Sequence, residues 1–337
     1  MSERIEKWDI LKFGLIFFVV LGHIASHYTE ESAFMRSLYL FIYIFHMPVF
    51  IFVSGLFSKR TVDELRWDKI TGYLLIYLFS KLLYALYCVI DVGKFRFSFS
   101  SSSGYPWFMF AIAVFPIITH YLKRVKPSYV LIISLVISLL AGYDGKVGDF
   151  FSISRILVFF PFYYLGYLLK PGTLQEITSK SWVKIASLAV IIVTAVLVFT
   201  LGDMAYSLRP MFTARNPYSV LGDFAVFGPI FRLFCYVSSF VLGFAFIAIT
   251  PNKSPVRVVS TFGARTLSVY VYHRVVIYLL FNQFYLKEFL QTVLPQGLHF
   301  LAIFVLALII TVVLSLKPFI NSVNAIYNVP KHALKKD

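Results

Sequence analysis

Apolar runs recur along almost the whole chain, and they constrain its fold more than any other feature. A window of about 19 residues finds roughly ten of them. At a helical rise of about 1.5 Å per residue, each can cross the roughly 30 Å of hydrocarbon in a bilayer. The predicted spans are 9–28, 38–57, 71–90, 105–122, 128–142, 151–169, 183–201, 225–249, 266–284 and 298–316.

Composition agrees with a membrane-embedded chain. Hydrophobic residues make up 59%, charged residues only 14%, and the mean hydropathy is +0.79. A water-soluble domain needs more polar surface than this composition supplies. We therefore expect an all-α, polytopic protein of the cell membrane with about ten transmembrane helices. We expect a single domain over residues 1–337, with a core at about 5–320 and a basic cytoplasmic tail at 321–337.

Basic residues are distributed unevenly between alternate loops. If the N-terminus is cytoplasmic, 20 of the 31 basic residues fall at cytoplasmic ends and 7 fall in outer loops. This bias predicts that both termini are cytoplasmic. The net charge of +15 is spread over short loops, so it does not indicate a nucleic-acid-binding face. The two long outer loops, 91–104 and 202–224, are candidates for a substrate-facing mouth.

Ionisable residues inside the predicted spans are neutral or positive. All 16 acidic residues fall in loops, tails or span ends, which argues against a cation- or proton-coupled carrier. The ionisable residues within spans are His23, His46, His273, Lys81, Arg155, Arg232 and Arg274. A cationic interior suits an anionic guest, such as the phosphates of a nucleotide-bearing cofactor.

Lys12 and His23 share one face of the first predicted helix. Eleven residues correspond to roughly 20° past three full turns and to about 16 Å along the axis. One elongated ligand could touch both, with its charged end at Lys12 and its reacting end at His23. The alternative is that Lys12 reaches the lipid headgroups and pairs with Asp9 at i−3.

His46 lies in the second span at a depth similar to that of His23, so the two imidazoles could meet. A buried neutral histidine can act as general base, donor or nucleophile near neutral pH. For either residue alone, the alternative is a core histidine with structural partners.

A zinc-type site built on His23 and His27, at i and i+4, with His46 or His273, lacks a carboxylate or thiolate ligand. We expect no metal.

Several segments resemble one protein family. The first helix, "WDILKFGLIFFVVLGH", and the following "FHMPVFIFVSGLFSKR" are similar to the opening of the acyltransferase-3 family of membrane acyltransferases, in particular its fucose 4-O-acetylase-like branch. The later segments "YPWFMFAIAVFP", "SRILVFFPFYYLGYLL" and "FGARTLSVYVYH" resemble family segments in the same order. The resemblance covers about residues 5–320.

The resemblance implies roles for particular residues. Family members carry a basic residue, ten intervening positions and a catalytic histidine in the first helix, which correspond here to Lys12 and His23. The basic residue is commonly arginine, and lysine keeps the charge but loses the bidentate fork that suits phosphate. Lys59 and Arg60 would belong to the cytoplasmic entrance for the cofactor. Lys12, Lys59 and Arg60 are therefore the expected phosphate contacts of acetyl-CoA.

The expected activity is a membrane O-acetyltransferase. Acetyl-CoA from the cytoplasm would donate to a sugar hydroxyl of an envelope glycan or its lipid-linked precursor, with His23 as general base or acyl carrier. His46 and Arg155 would stabilise the oxyanion, and Trp107 and His273 would contact substrate. Some family members carry an extracellular SGNH-type domain that takes the acyl group onward. We expect no such domain in this chain, and therefore expect direct transfer or hand-off to a separate glycan-assembly protein.

Two other functions fit parts of the pattern. An exporter or flippase of an anionic glycolipid would also want a cationic interior, but it would not release acetyl groups from acetyl-CoA. A glycan polymerase would be expected to carry a large outer loop dense in acidic residues or arginine, and the 202–224 loop is only modestly so. Nucleic acid is not an expected partner.

Overall fold

The structure is a computed structural model that describes residues 5–101, 104–146, 148, 150–254 and 256–333. Within these ranges the regular elements are helices, and an isolated antiparallel bridge joins Ser101 to Phe150. The prediction of an all-α fold is confirmed.

Helices follow one another along the chain with short connections. The first part forms α1 (Glu6–Ala25), α2 (Ala33–Leu56), α3 (Lys59–Asp63), α4 (Trp67–Val92), α5 (Trp107–Leu122), α6 (Pro127–Leu140), α7 (Ile153–Leu168), α8 (Pro171–Ser179) and α9 (Ser181–Leu201). The second part forms α10 (Asp203–Tyr206), α11 (Arg209–Phe212), α12 (Gly228–Ile249), α13 (Arg257–Gly263), α14 (Thr266–Tyr278), α15 (Leu286–Val293), α16 (Gln296–Leu314), α17 (Lys317–Tyr327) and α18 (Val329–Ala333). Short 3₁₀ segments occupy Ala141–Tyr143 and Tyr218–Phe227, and a π-helical turn (Leu279–Gln283) continues α14.

A helix lies at each of the ten predicted spans, but not all are long enough to be assigned to the membrane. In the described chain, six are long and apolar enough: α1, α2, α4, α9, α12 with the 3₁₀ segment before it, and α16. The pair α7 and α8 would make a seventh, bent by 90°. A multi-pass membrane protein is thus supported, while the count of ten and the cytoplasmic termini stay predictions.

The bend after α7 has a local cause. Pro171 occupies the first turn of α8, and Lys170 before it has extended backbone (φ −101°, ψ 130°). Proline disfavours helical backbone at the preceding residue, so the chain leaves α7 and restarts in a new direction.

The centre of the bundle is α2, which packs against α1, α7 and α12. About 83% of its apolar window is buried, against 17% for α9 at the periphery. Gly55 of α2 lies against the carbonyl of Tyr163, and Gly166 of α7 lies against the carbonyl of Phe52. A Cβ at either glycine would overlap backbone, so these small residues allow α2 and α7 to approach closely.

A proline inside α2 is compensated by a neighbouring helix. Pro48 has no N–H, so the carbonyl of Ile44 loses its usual donor. The hydroxyl of Ser239, on α12, donates to that carbonyl at 2.5 Å. The hydrogen bond satisfies the freed acceptor two residues from His46.

Part of the predicted C-terminal tail is folded onto the bundle. The helix α17 packs against α4 and α14, and its Val323 is 1% exposed. A Cβ on Gly72 would lie 2.7 Å from the carbonyl oxygen of Tyr327, which shows how closely α4 and α17 meet. Residues 334–337 of that tail lie outside the described ranges.

Candidate active site

Three of the predicted residues gather where α1, α2 and α14 meet. The imidazoles of His23 and His273 stack with centroids 5.1 Å apart and an interplanar angle of 28°. His46 of α2 is close enough for a direct electrostatic interaction with His23. His46 and His273 are buried, whereas His23 is partly exposed. His23 is therefore the imidazole of the three that a substrate can reach without displacing packed neighbours.

Arg274 fixes the proton of His23. Its Nη1 donates to Nδ1 of His23 at 3.1 Å, and its guanidinium lies over the Tyr278 ring at 4.2 Å. Because a guanidinium only donates, Nδ1 of His23 must accept. A neutral His23 therefore carries its proton on Nε2, which makes that nitrogen a hydrogen-bond donor.

His273 and His46 have the opposite arrangement. Nδ1 of His273 donates to the carbonyls of Val269 and Tyr270 at 3.0 and 2.8 Å, and Nδ1 of His46 donates to the carbonyl of Ile42 at 2.7 Å. Their Nε2 atoms are then lone-pair acceptors in the neutral rings. The buried Nε2 of His273 has no hydrogen-bond partner among the described residues.

A pair of tyrosines holds α14 against the start of α5. Tyr105 donates to the carbonyl of Val271 at 2.8 Å, and Tyr270 donates to the carbonyl of Tyr105. The Tyr105 ring also meets the His273 ring edge-to-face at 5.5 Å. These contacts fix the position of His273 along the bundle axis.

A large cavity approaches the histidines from the end where α1 begins. It has a volume of about 460 Å³ and lies between α1, α2, α4, α5, α14 and α17. Val19, Met47 and Tyr270 line its inner part. Each is within about one helical turn of His23, His46 or His273 in sequence, although none of these three histidines is itself part of the lining.

Three cations line the same cavity near the end of the bundle where α1 begins. They are Lys12, Lys69 and Arg265. Lys12 pairs with Asp9 at 2.8 Å, as the alternative interpretation of the sequence expected, and it faces the cavity as well. Arg265 donates to the carbonyl of Ser315 at 3.3 Å.

Lys59 and Arg60 lie outside this cavity. Both are exposed on α3, and Arg60 pairs with Glu64 at 3.0 Å on the same short helix. The residues that line the cavity include Ser58 and Thr61 on either side of them. Their role at a cofactor entrance stays a prediction.

Arg155 and Trp107 form a separate group. The guanidinium of Arg155 lies 4.8 Å from the centroid of the Trp107 ring, and its Nε donates to the carbonyl of Thr213 at 3.4 Å. Trp107 also stacks on Phe159 at 5.5 Å. The predicted oxyanion role of Arg155 and the substrate contact of Trp107 are not tested by this arrangement.

Two other cations within the spans hold peripheral segments instead of joining the histidines. Lys81 donates to the carbonyl of Ser101 in the loop before α5. Arg232 is 1% exposed and lies over the ring of Tyr218, 5.4 Å from its centroid. In the described part of the chain, no three His, Cys, Asp or Glu side chains are grouped to hold a metal ion.

The sequence alone does not show which residues or cavities the cations of the candidate site face. Arg274 stood out as a cation within a span, but nothing in the sequence paired it with His23, 251 positions away. Lys69 and Arg265 lie near span ends, where basic residues are equally typical of topology signals, so their positions in the sequence do not indicate a cavity.

A comparison with known families decides the class of the protein. The model of the acyltransferase domain family (Acyl_transf_3) matches residues 5–316. The chain belongs to this family. It is therefore an acyltransferase, as the resemblance of its first two helices implied.

The match extends over all the helices that build the histidine cluster and ends just before α17. No curated protein and no solved structure matches the chain. The fucose 4-O-acetylase-like branch stays a prediction.

Proposed function

We propose that this acyltransferase moves an acetyl group from cytoplasmic acetyl-CoA to a sugar hydroxyl of an envelope glycan or its lipid-linked precursor. The observation that supports the proposal is the cavity, which has cations at one end and, at its other end, lining residues within about one helical turn of the imidazoles. Lys12, Lys69 and Arg265 would hold the phosphates through charge-assisted hydrogen bonds. The thioester would then lie near His23 and His273.

The tautomers support different catalytic roles for the stacked residues His23 and His273. General base and acyl carrier both require a lone pair on Nε2, and the Arg274 contact disfavours that lone pair on His23. We assign the base to His273. Because its ring is buried, the hydroxyl must enter past the partly exposed His23 ring that stacks on it before Nε2 of His273 accepts the proton. The hydroxyl oxygen attacks the thioester carbon, and His23 Nε2–H stabilises the oxyanion. The C–S bond then breaks, and the thiolate takes the proton from His273.

Radiolabelled acetyl-CoA tests the activity in membranes that contain the protein. Wild type should release or transfer labelled acetate, which the exporter alternative does not allow. His23→Ala and His273→Ala should each reduce turnover by at least about a hundredfold, the usual contribution of a positioned acid or base. His120→Ala is the matched control, since His120 contacts the carbonyl of Val62 on α3. Full activity in both site variants would contradict the assignment.

We also propose ten spans in the cell membrane with both termini in the cytoplasm. With its π-helical turn, α14 is about 27 Å long, and α5 is about 24 Å long. Both lengths are close to the roughly 30 Å thickness of the hydrocarbon core. The bias of basic residues toward alternate loops supports this orientation. Single cysteines at Asn252 and at Ser207, on opposite predicted sides, should label from opposite sides of sealed vesicles. Labelling from one side would overturn the topology.

The acceptor is the least constrained part of the proposal. The two long predicted outer loops are the proposed acceptor side, because they lie at the opposite predicted end of the spans from the cytoplasmic cavity mouth. Mass analysis of envelope glycans from cells with and without the gene should reveal the acetylated sugar. An unchanged acetyl content in every glycan fraction would contradict a glycan acceptor.

A further inference from the structure

The donor cavity is completed by a helix that lies beyond the family match. That match ends at residue 316, and α17 begins at Lys317. Nevertheless, Ile320, Val323, Asn324 and Tyr327 of α17 line the cavity. A wall of the cavity therefore comes from residues outside the family match.

We propose that α17 binds the nucleotide end of the acyl-CoA donor, with adenine against the Tyr327 ring and beside the Asn324 amide. This inference rests on the proposed function and names the element that recognises the donor. Bases stack on aromatic side chains, and the amide of asparagine pairs with the edge of adenine.

The fixed position of α17 supports a binding surface that is already formed. Tyr73 of α4 and Tyr327 meet edge-to-face with centroids 5.1 Å apart. On the other side, the Tyr272 hydroxyl lies 2.8 Å from the Ser322 hydroxyl, and the Tyr272 ring contacts Phe319 at 5.5 Å. Tyr272 precedes His273 directly, so the middle of α14, next to this catalytic candidate, contacts α17.

Polar side chains share the cavity lining with Tyr327, and the ammonium of Lys331 already lies 5.5 Å from the centroid of its ring, so adenine would stack beside this cation. The side-chain amide of Asn324 is exposed and makes no hydrogen bond within the described residues. Lys69 forms no ion pair among the described side chains, and it shares the cavity lining with Tyr327 and Arg265. An aromatic ring, a free amide and two cations are the groups that recognise a phosphorylated adenosine.

Two measurements test the proposal. Adenosine 3′,5′-bisphosphate binding to the purified protein is measured by calorimetry, and the KM is measured for acetyl-CoA and for S-acetylpantetheine, which lacks the nucleotide. Asn324→Ala and Tyr327→Ala should weaken bisphosphate binding and raise the KM for acetyl-CoA by about tenfold each. Neither should change kcat or the KM for S-acetylpantetheine.

The chain offers matched controls. Asn321→Ala makes the same change on α17 at an exposed position that does not line the cavity, and Tyr327→Phe keeps the ring. Asn321→Ala should behave as wild type, and Tyr327→Phe should recover most of the bisphosphate binding that Tyr327→Ala loses. Unchanged bisphosphate binding in Asn324→Ala would overturn the inference even if Tyr327→Ala fails to fold. An equal KM increase with both donors would also overturn it, because that pattern indicates a packing defect.

Failure of the proposed function gives a different result. If wild type turns over neither donor, acetyl transfer from CoA is wrong. The calorimetric comparison of wild type with Asn324→Ala still decides whether α17 binds the nucleotide.

Discussion

The two ends of the bundle use their positive charges differently. At the end where α1 begins, Lys12, Lys69 and Arg265 face a cavity of about 460 Å³. At the other end, Arg155 lies over Trp107, and Arg209 lies over Tyr39 and Tyr206. A cation that faces a cavity can reach an anionic ligand there even where it also has a protein partner, as Lys12 has in Asp9. A cation against an aromatic ring is instead stabilised by the protein alone.

This difference suggests an order of binding. The side that we propose for the acetyl-CoA donor, lined by Lys12, Lys69 and Arg265, has an open cavity before any ligand binds. The opposite end is closed by contacts among α10, α11 and α2, including the Arg36–Asp203 ion pair at 2.5 Å. An acceptor must therefore displace part of the 202–224 segment or enter from the side, and we expect the donor to bind first.

The strongest test of this division lies at Arg274, between the two ends. Arg274→Met removes the donor to His23 Nδ1 and frees the ring to change tautomer. We expect kcat to fall by about a hundredfold, with a shifted pH profile of kcat and an unchanged KM for acetyl-CoA. Arg274→Lys keeps a donor and should recover part of the rate. An unaltered pH profile in Arg274→Met would mean that Arg274 only packs on Tyr278.

The donor side is tested by removing its cations one at a time. Lys12→Ala and Lys69→Ala should each raise the KM for acetyl-CoA by about tenfold, and the effect should shrink at high salt because exposed charges are screened. Lys12→Arg should be tolerated. Arg60→Ala is the control, since Arg60 pairs with Glu64 outside the cavity. An equal effect in Arg60→Ala would restore α3 as the phosphate-binding element.

Arg155 tests the other side with a smaller expected effect. If its contact with Trp107 only organises the acceptor end, Arg155→Met should leave acetyl-CoA hydrolysis in the absence of acceptor within about twofold of wild type. Transfer to the membrane acceptor should fall severalfold. A loss of hydrolysis by about a hundredfold would instead support the oxyanion role that the sequence suggested.

The helix positions follow from the sequence because membrane insertion depends on sums of residue transfer energies. A hydropathy window evaluates that sum, and helices lie at every predicted span. The same sum cannot show which faces meet. The contact of Arg274 with His23 and the place of Lys69 in the cavity depend on packing between helices that are distant in sequence.

Hydropathy also fails to predict that the C-terminal helix α17 packs against the bundle. Residues 317–327 include a lysine, a serine and two asparagines, so composition favours a solvated tail. Their apolar residues lie on one face, however, and Val323 is buried against the bundle. A short amphipathic helix gains most of its stability from such packing, and a hydropathy window averages that face away.

The smallest expected effect concerns the pH dependence of stability just past the end of α1. Burial, followed by the nearby charges of Arg274 and Lys287, lowers the pKa of His27 from 6.5 to about 4. As the pH falls through 6.5, the unfolded chain gains a proton that the folded His27 does not accept until about pH 4, so the free energy of unfolding decreases in this window.

Glu31 acts in a lower pH range. Its pKa is lowered by its hydrogen bond from Lys287, so it decreases the free energy of unfolding further only below its ordinary pKa of 4.5. Thermal unfolding in detergent between pH 7 and 5 should therefore show a slope that His27→Gln reduces and Glu31→Gln leaves in place. An unchanged slope in His27→Gln would mean that the imidazole reaches water, and that this end of the bundle is more open than its packing against Phe281 indicates.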